Sequence, residues 1–430
     1  MKNHLSSHSE RASTLLIVMA AVVLLGTAIG SILTIVSQEY ILSKRSLIWN
    51  QSVFTAESAA EVGWNELNKL TAINTGQVFM SGWTYVGGTT WALANQTLSS
   101  SGSEGNSTYS VTVVTNSPAA GQYTITANGA MSSVLIDKSA SRNIEMVLRG
   151  VTPYQTAILG KGLIDFNGNA ATVDSFNSDT GPWSISTRRA HGGIGTNGAL
   201  IDASGLDIYG SAQTGPGGVV ETAPGFNMYQ PVSPDTGTNI VQDGLKVSIP
   251  DVLLPSGMST AGPNTAMTTD TTVSGGGAGT TTQYRYSSIN MANSDDLTIS
   301  GGGTVQIYVT GTTDIKGDFT IAADTKVEFY IAGSYDSNGA GLVNSSGKAE
   351  SLLIYGLPTC TSVKVGGTAD FTGAIYAPSA TVTIHGSPTF TGSVVGNTID
   401  CTGNVTFHYD EALSDIGPIT NFTLVSWKEF

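Results

Sequence analysis

The chain of 430 residues carries a net charge of −14, and charged residues make up only 12% of it. This acidic balance excludes a sequence-independent nucleic-acid binder, which needs basic surface to neutralise phosphates. The 52 glycines, together with abundant Ser and Thr, disfavour long helices after the N-terminal region and favour short strands joined by tight turns.

Residues 13–36 form an uncharged apolar run that is long enough to cross a bilayer. A helix over this run spans about 36 Å, which exceeds the roughly 30 Å of a bilayer core. A cleaved signal peptide has an apolar region of only about 7–15 residues. We therefore predict an uncleaved transmembrane helix at 13–36, after a cytoplasmic leader at 1–12.

Flanking charges do not orient this helix, because Lys2 and Arg11 precede it while Lys44 and Arg45 follow it. The long acidic, Gly-rich region that follows has the composition of an exported domain. We expect a single-pass inner-membrane protein whose C-terminal domain is periplasmic or extracellular. Membership of a surface fibre is one version of this expectation.

The helical pattern continues at 37–70 as an amphipathic segment. This stretch contains no Pro and a single Gly, Gly63, and its apolar residues recur at heptad spacing. The segment is expected to lay its apolar stripe on another part of the protein or on a partner. Phe54, Glu57 and Val62 are the candidate partner contacts.

Residues 71–150 change to a period of two. The runs YSVTVV, QYTITANGAM and RNIEMVLRG are separated by turn-rich segments, which is typical of strands in an antiparallel sheet. We predict a small antiparallel β-domain here.

The two ends of the chain resemble PilX-type proteins of type IV pilus assembly. The N-terminal run resembles theirs and is followed in the helix by Ala56, Glu57, Ser58 and Ala59, similar to their AE(A/S)A element. The segments GAIYAP, HYDEAL and SWKE resemble a C-terminal β-solenoid domain fused to such N-termini. The resemblance covers roughly 1–70 and 350–430 and implies a pilin-like sheet, a role in pilus or pseudopilus assembly, and pilus subunits as partners.

The chain departs from standard type IV pilins at the processing site. No Gly precedes Ser13, and no acidic residue lies in 13–36, whereas pilins have a Gly before the cleavage point and a Glu five residues after it. The resemblance therefore does not extend to cleavage by prepilin peptidase.

A 22-residue pattern occurs twice between residues 296 and 339. Ile299 aligns with Ile321, and Val305 aligns with Val327, while the polar positions differ. A period near 20 made of short β runs is typical of the coils of a parallel β-solenoid. We predict a mainly β protein with a parallel β-helix at 151–410, an irregular Pro-rich insertion at about 215–295, and a C-terminal tail at 411–430.

The last predicted coils repeat with a shorter period of 17–19 residues. Aligned aromatic residues are expected to stack in the core, and aligned glycines to mark corners that need unusual φ. The structural positions assigned in this way are Gly367, Gly386, Gly403, Phe371, Phe390 and Phe407.

The same alignment places Cys401 at an inward position, equivalent to Val365 and Ile384. Cys360 lies one corner before Val365. This register favours two unpaired and mostly buried thiols, and a disulfide is the alternative.

No catalytic or metal-binding set emerges from the sequence. Asp295 and Asp296 are interpreted as a solvated turn, while isolated acids such as Asp314 and Asp336 are interpreted as turn residues. His385 and His408 do not superpose in the coil register, and HYDEAL is interpreted as a cap that ends the stack. We therefore predict no enzyme activity, no cofactor and no metal.

The exported part has one strong basic cluster, Arg188, Arg189 and His191. A plain surface loop is the simplest interpretation. Contact with an acidic glycan or another partner is the alternative.

The preferred hypothesis is a membrane-anchored assembly component of a type IV pilus-like or pseudopilus system. It would display a rigid β-solenoid for surface interaction or adhesion, with the inner membrane, pilus subunits and a surface glycan or another cell as partners. Two alternatives stay open, a cell-surface lyase or hydrolase acting on carbohydrate and a stand-alone anchored filament former. A strip of clustered Asp, Arg and Lys would favour the enzyme.

Overall fold

The computed structural model describes most of the chain. The described residues are 6–70, 80–98, 106–117, 121–133, 138–167, 171–202, 205–221, 227–229, 240–241, 244–337, 341–367, 370–417 and 419–430. Several predictions therefore lie partly outside them, including the start of the leader and much of 222–243. The chain divides into two compact units, residues 1–67, 78–149 and 424–430, and residues 68–77 and 150–423.

The helix and the strands of the first unit have the following bounds: α1 Ser6–Asn68, β1 Thr84–Gly87, β2 Thr90–Leu98, β3 Ser107–Thr115, β4 Gln122–Ser133 and β5 Lys138–Val151.

The strands that follow have these bounds: β6 Ile158–Gly160, β7 Ile164–Asn167, β8 Ala171–Phe176, β9 Ile194–Thr196, β10 Leu200–Asp202, β11 Leu206–Tyr209, β12 Ala212–Gln213, β13 Val219–Glu221, β14 Asn227–Tyr229, β15 Ile240–Val241, β16 Pro263–Met267, β17 Thr271–Ser274, β18 Thr281–Met291, β19 Leu297–Ser300, β20 Gly303–Val309, β21 Thr313–Ile315, β22 Asp318–Ile321, β23 Thr325–Ile331, β24 Ser334–Ser337, β25 Gly341–Asn344, β26 Leu352–Gly356, β27 Ser362–Gly367, β28 Phe371–Gly386, β29 Thr389–Gly403, β30 Thr406–Asp410 and β31 Asn421–Glu429. Short 3-10 helices cover Met258–Thr260, Ala349–Ser351 and Glu411–Asp415.

The first unit packs the second half of α1 on an antiparallel sheet. The sheet has the order β1-β2-β3-β4-β5-β31, and the three strands predicted from the period of two pair in antiparallel register. The middle of the buried face of α1 is made of small residues, including Ala56, Ala59 and Ala60, with Ile48 and Leu67 buried at its two ends. A side chain at Gly129 of β4 would meet the helix backbone at Ser52 and Ala56, so only glycine permits this approach.

The last strand of this sheet comes from the C-terminus, which the sequence analysis treated as a tail. Asn143 and Phe430 exchange two backbone hydrogen bonds, of 2.9 and 3.0 Å, as an antiparallel pair does. The region between β5 and β31 is therefore an insertion in the chain of the sheet unit. Sequence reasoning missed this because strand pairing across such a distance has no local signal.

The second unit consists of parallel strands with the register read from the 22-residue repeat. Ile299 pairs with Ile321, and Val305 pairs with Val327. Glycines 367, 386 and 403 pair in succession, as do phenylalanines 371, 390 and 407. The interior is one apolar cluster.

The prediction of a parallel β-helix at 151–410 is nevertheless wrong. Eight parallel strands close into a barrel through the pairings β18–β20–β23–β26–β28–β27–β24–β21–β18. Closure depends on β18 and β28, each of which is long enough to pair with two successive strands of the neighbouring layer. The sequence interpretation assumed that every run ends at a turn and that layers stack openly in chain order.

The layers do not follow chain order. Strands β6 and β7 pair with β29, and β8 pairs with β30. Strands β9, β10 and β11 pair in turn with β6, β7 and β8, and the strands up to β14 extend this arrangement. The HYDEAL element therefore lies inside the stack, between β29 and β8, and does not cap its end. The predicted terminal cap is wrong because the earliest strands of the unit cover that position.

One extended segment, residues 244–258, returns the chain to the other end of the stack; we call it the return segment. Leu245 N donates to Thr214 O at 3.0 Å, and Gln283 Nε2 donates to Ser256 O at 3.2 Å. The first contact lies next to β12, and the second lies on β18. The irregular insertion predicted at about 215–295 thus includes this segment and the barrel strand β18.

Candidate functional site

The N-terminal half of α1 is an apolar helix whose side chains are exposed. An 18-residue window within Ser13–Asn68 has a mean hydropathy of 2.6, and none of it is buried within the protein. This part of α1 is long and apolar enough to cross a membrane. The hydroxyl groups of Thr27, Ser31 and Thr34 donate to carbonyl oxygens of the helix, so these three polar side chains are satisfied without water.

The three candidate contacts on α1 differ in accessibility. Phe54 is 63% exposed, whereas Glu57 and Val62 are half-buried at the side of the helix. Glu66, which the sequence analysis did not single out, is buried, and its Oε1 accepts from Met80 N at 2.5 Å. Phe54 is thus the member of the predicted set that is open to a partner.

The basic loop is fastened to the HYDEAL element within the second unit. Arg189 Nη1 lies 2.8 Å from Glu411 Oε2, and His191 Nδ1 lies 2.9 Å from Glu411 Oε1. The Arg188 guanidinium lies over the Tyr209 ring at 4.0 Å. These contacts hold the loop against Glu411 and Tyr209, while the side chains of Arg189 and His191 remain 45% and 64% exposed.

A buried polar network lies beneath this loop. His408 Nδ1 is 2.6 Å from Asp174 Oδ1, and Trp183 stacks on the imidazole with ring centroids 3.7 Å apart. Trp183 Nε1 donates to Asp174 Oδ2 at 3.2 Å. The arrangement links β30 to β8 and holds the loop against both strands. These contacts stabilise the packing of neighbouring layers.

Asp410 continues the network and is fully buried. Its Oδ1 accepts from the backbone N of Ser178 at 3.0 Å and of Ala412 at 3.2 Å, and its Oδ2 accepts from Ala349 N at 3.4 Å. A carboxylate with three backbone donors is satisfied where it lies. Sequence reasoning assigned Asp410 to a cap, and the structure uses it to hold three segments together.

The structure also brings together a row of acids that sequence reasoning missed. Asp400 pairs with Asp165, Asp165 pairs with Asp202, and Asp202 pairs with Glu221 on successive parallel strands. Burial and the neighbouring Asp202 and Asp400 raise the pKa of Asp165, while a hydrogen bond from Asn167 opposes the shift. No periodicity reveals this row, because its strands are not consecutive in the chain.

A shorter row, of two acidic residues, lies in the barrel. Asp314 pairs with Asp336, and Asp336 pairs with Lys364. Burial and then Asp314 raise the pKa of Asp336, which Lys364 partly offsets. Among the residues that the structure describes, no group of three His, Cys, Asp or Glu side chains could hold a metal ion.

Both cysteines are buried and unpaired, as the register predicted. Burial raises the pKa of each thiol, with Asp400 and Asp165 adding to the effect at Cys401. Neither thiol has the lowered pKa that a reactive cysteine requires.

The similarities found among known proteins include a family model and a solved structure. A family described as a domain of unknown function (DUF7305) matches residues 257–416, which is less than half of the chain. No curated protein matches.

The solved structure is the competence-associated pilin ComZ from Thermus thermophilus, which is similar at 12% identity. The match covers 89% of this chain and 98% of that one, with a TM-score of 0.22. At that score the superposition does not demonstrate a common fold.

Proposed function

We propose that this protein is a membrane-anchored structural component of a type IV pilus-like or pseudopilus system, which displays the parallel-strand unit on the outer side of the inner membrane. The observation that carries the proposal is α1 itself. Its first half is uncovered apolar helix, and its second half packs on an antiparallel sheet through small residues. A helix with these two halves joins a lipid anchor directly to a folded domain.

The polar contacts between segments of the second unit support a structural role. The polar side chains of the HYDEAL region are engaged with their own chain, and the basic loop is paired with Glu411. Adhesion to a glycan or to another cell is the finer part of this proposal.

Cell fractionation tests the anchor and the fibre separately. The full chain should pellet with inner membranes, and Leu24→Arg should reduce membrane insertion because a charge at the helix centre opposes it by about 2.5–3.5 kcal/mol. Ser43→Arg, outside the apolar run, is the matched control. Intact mass of protein from sheared surface fibres then gives its processing state; absence of the chain from those fibres would exclude the pilus-subunit version.

A carbohydrate-active enzyme is the second candidate, favoured by the row Asp400, Asp165 and Asp202. Neighbouring carboxylates, one with a raised pKa, are the groups that glycoside hydrolysis uses. Incubation of the full chain with acidic and neutral polysaccharides, with Asp165→Asn and Asp202→Asn as variants, separates the two functions. Release of oligosaccharide by the wild type and not by the variants would replace the structural proposal.

A further inference from the structure

The return segment follows a single row of paired residues across the parallel strands. The row passes through eight successive strand pairings, from Gln213 of β12 through Leu159 and Tyr376 to Tyr308 and Arg285 of β18. Neighbouring strands lie about 4.8 Å apart, so the row is about 38 Å long. Residues of the row and of the segment share one apolar cluster, which is separate from the interior cluster of the unit.

The covalent length of the return segment matches the length of this row. At one end Leu245 N donates to Thr214 O, and at the other end Gln283 Nε2 donates to Ser256 O. Ser256 lies 11 residues after Leu245. A fully extended chain of that length reaches at most about 36–40 Å. The segment therefore crosses the strands at nearly its full reach and has little slack.

The middle of the return segment contacts the middle of the row. Tyr376 Oη donates to Pro250 O at 2.6 Å, and Tyr376 belongs to β28. Strand β28 lies four pairings from β12 and four from β18. Pro250 lies five residues after Leu245 and six before Ser256. Equal division of both lengths at this contact means that the two halves of the segment are extended alike.

The return segment spans the junction between the early and the late strands of the unit. We call β6–β15 the early block and β16–β30 the late block. At the junction His408 of β30 pairs with Asp174 of β8, and 234 residues separate them. Within the late block, by contrast, a turn of two residues joins β28 to β29. The segment is the part of the chain that leads from one block to the other, and it is attached to both.

Opening of the junction would lengthen the path that the return segment has to cover. Hydrogen bonds between strands point along the row, so separating the blocks moves β12 away from β18 in that direction. A chain with little slack cannot follow without losing a contact at Asn197, Tyr376 or Gln283. The segment also lies close to the strands, because a Cβ at Gly195 would meet Leu245 Cδ2 at 2.8 Å.

We propose that the return segment is a tie of matched length, which holds the junction between the early and late blocks closed. The inference deepens the structural role proposed above and rests on it only for its setting. A tie of this kind makes the two blocks behave as one unit, although their strands meet through residues that are distant in the chain. Added length should release the junction, and removed length should not be tolerated.

A longer tie is the first test. Gly-Ser-Gly-Ser inserted after Leu253, which is 58% exposed, adds about 14 Å of reach and leaves the contacts of both ends in place. In the full-length protein, amide hydrogen exchange of β6 at the junction should rise about tenfold or more, because local opening becomes possible. Exchange of β20 and β23, inside the late block, should stay as in the wild type. The same insertion after Ala278, in an exposed turn, is the control and should leave the junction unchanged.

A shorter tie is the second test. Deletion of Leu253 and Leu254 removes two residues and so keeps the alternation of side chains along the extended segment. The four residues left between Pro250 and Ser256 reach about 14 Å, whereas half of the row is about 19 Å long. Exchange should therefore rise in β6 or in β18. Leu253→Ala with Leu254→Ala keeps the length and controls for the lost side chains.

Exchange of β6 equal to that of the wild type in the lengthened protein would overturn the inference. Wild-type exchange throughout the second unit after the deletion would overturn it as well. If the shortened chain does not fold, the result of the insertion decides. Fractionation and sheared fibres test the proposed function independently, so a released junction in a chain that is absent from fibres would retain the tie and reject the pilus-subunit function.

Discussion

His408 Nδ1 lies 2.6 Å from Asp174 Oδ1, although 234 residues separate them in the chain. The pair places the penultimate strand of the second unit beside one of its first. Trp183 stacks on His408, so the same pair also positions the loop that contains Arg189 and His191. An early and a late strand of this unit are thus joined at a buried point.

Removal of His408 should destabilise the second unit strongly. His408→Ala removes the imidazole from the buried Asp174 carboxylate, which keeps the hydrogen bond from Trp183 Nε1. Leaving a buried polar atom without its partner costs about 1–3 kcal/mol, and more when the group is charged. Urea unfolding followed by tryptophan fluorescence measures the change. His385→Ala, at a half-exposed histidine, is the control and should change the midpoint little. Equal effects of the two variants would mean that the buried pair does not stabilise the junction.

A side chain at Gly129 should separate α1 from its sheet. Gly129→Val places methyl groups against the helix backbone at Ser52 and Ala56, which cannot move without displacing α1. Hydrogen exchange should rise in α1 after residue 48 and in β4 while the parallel-strand unit is unchanged. The control is Ala130→Ser, one residue along on the other face of β4. Normal protection of α1 in Gly129→Val would contradict the close packing.

Neutralising Asp165 should stabilise the protein at neutral pH. The raised pKa means that the folded state holds this proton more tightly than the unfolded state, so its contribution to stability is present at low pH and is lost as the pH rises above the unfolded value. Asp165→Asn should therefore raise the unfolding midpoint at pH 7, and the gain should shrink toward pH 4.

The control for this pH dependence is Glu221→Gln, at the exposed end of the same row. It should give a smaller gain because solvent screens its carboxylate. A gain for Asp165→Asn that is the same at both pH values would exclude electrostatic repulsion along the row as its cause.

The return segment should loosen when Asn197 is shortened. Asn197 Nδ2 donates to Val247 O at 2.7 Å, and Val247 N donates to Asn197 Oδ1 at 2.8 Å, so one side chain provides both hydrogen bonds. Asn197→Ala should increase tryptic cleavage after the exposed Lys246 several-fold. Asn397→Ala, at an exposed asparagine, should cleave as the wild type does. An unchanged rate in Asn197→Ala would show that apolar contacts alone hold the segment.

Both thiols should resist alkylation in the native state. Their raised pKa keeps them protonated at pH 8, and burial excludes the reagent, so iodoacetamide should modify Cys360 and Cys401 only after unfolding. Intact mass before and after urea treatment measures this. Modification of either cysteine in native protein would contradict its burial, and a mass two units lower without modification would indicate a disulfide.

Local patterns in the sequence determined the long helix, the strands of the antiparallel sheet and the register of the parallel strands. Each depends on neighbours within a few residues or on a short repeat, such as Val305 with Val327 and Phe371 with Phe390. Burial of Cys401 followed from the same register. These features depend on periodicity, which the chain displays directly.

Tertiary structure alone decided the closure of the barrel, the order of its layers and the partners of its polar side chains. Strand β28 pairs with both β26 and β27 and so closes the barrel, the earliest strands of the unit join its latest ones, and the C-terminal strand returns to the first sheet. The last two depend on contacts between segments more than a hundred residues apart, for which the chain shows no local pattern. Closure of the barrel instead joins strands near each other in the chain, and it depends on which long strand pairs with two neighbours at once. For that reason Asp174 and Asp165 acquired their significance only when the fold placed them beside His408 and Asp400.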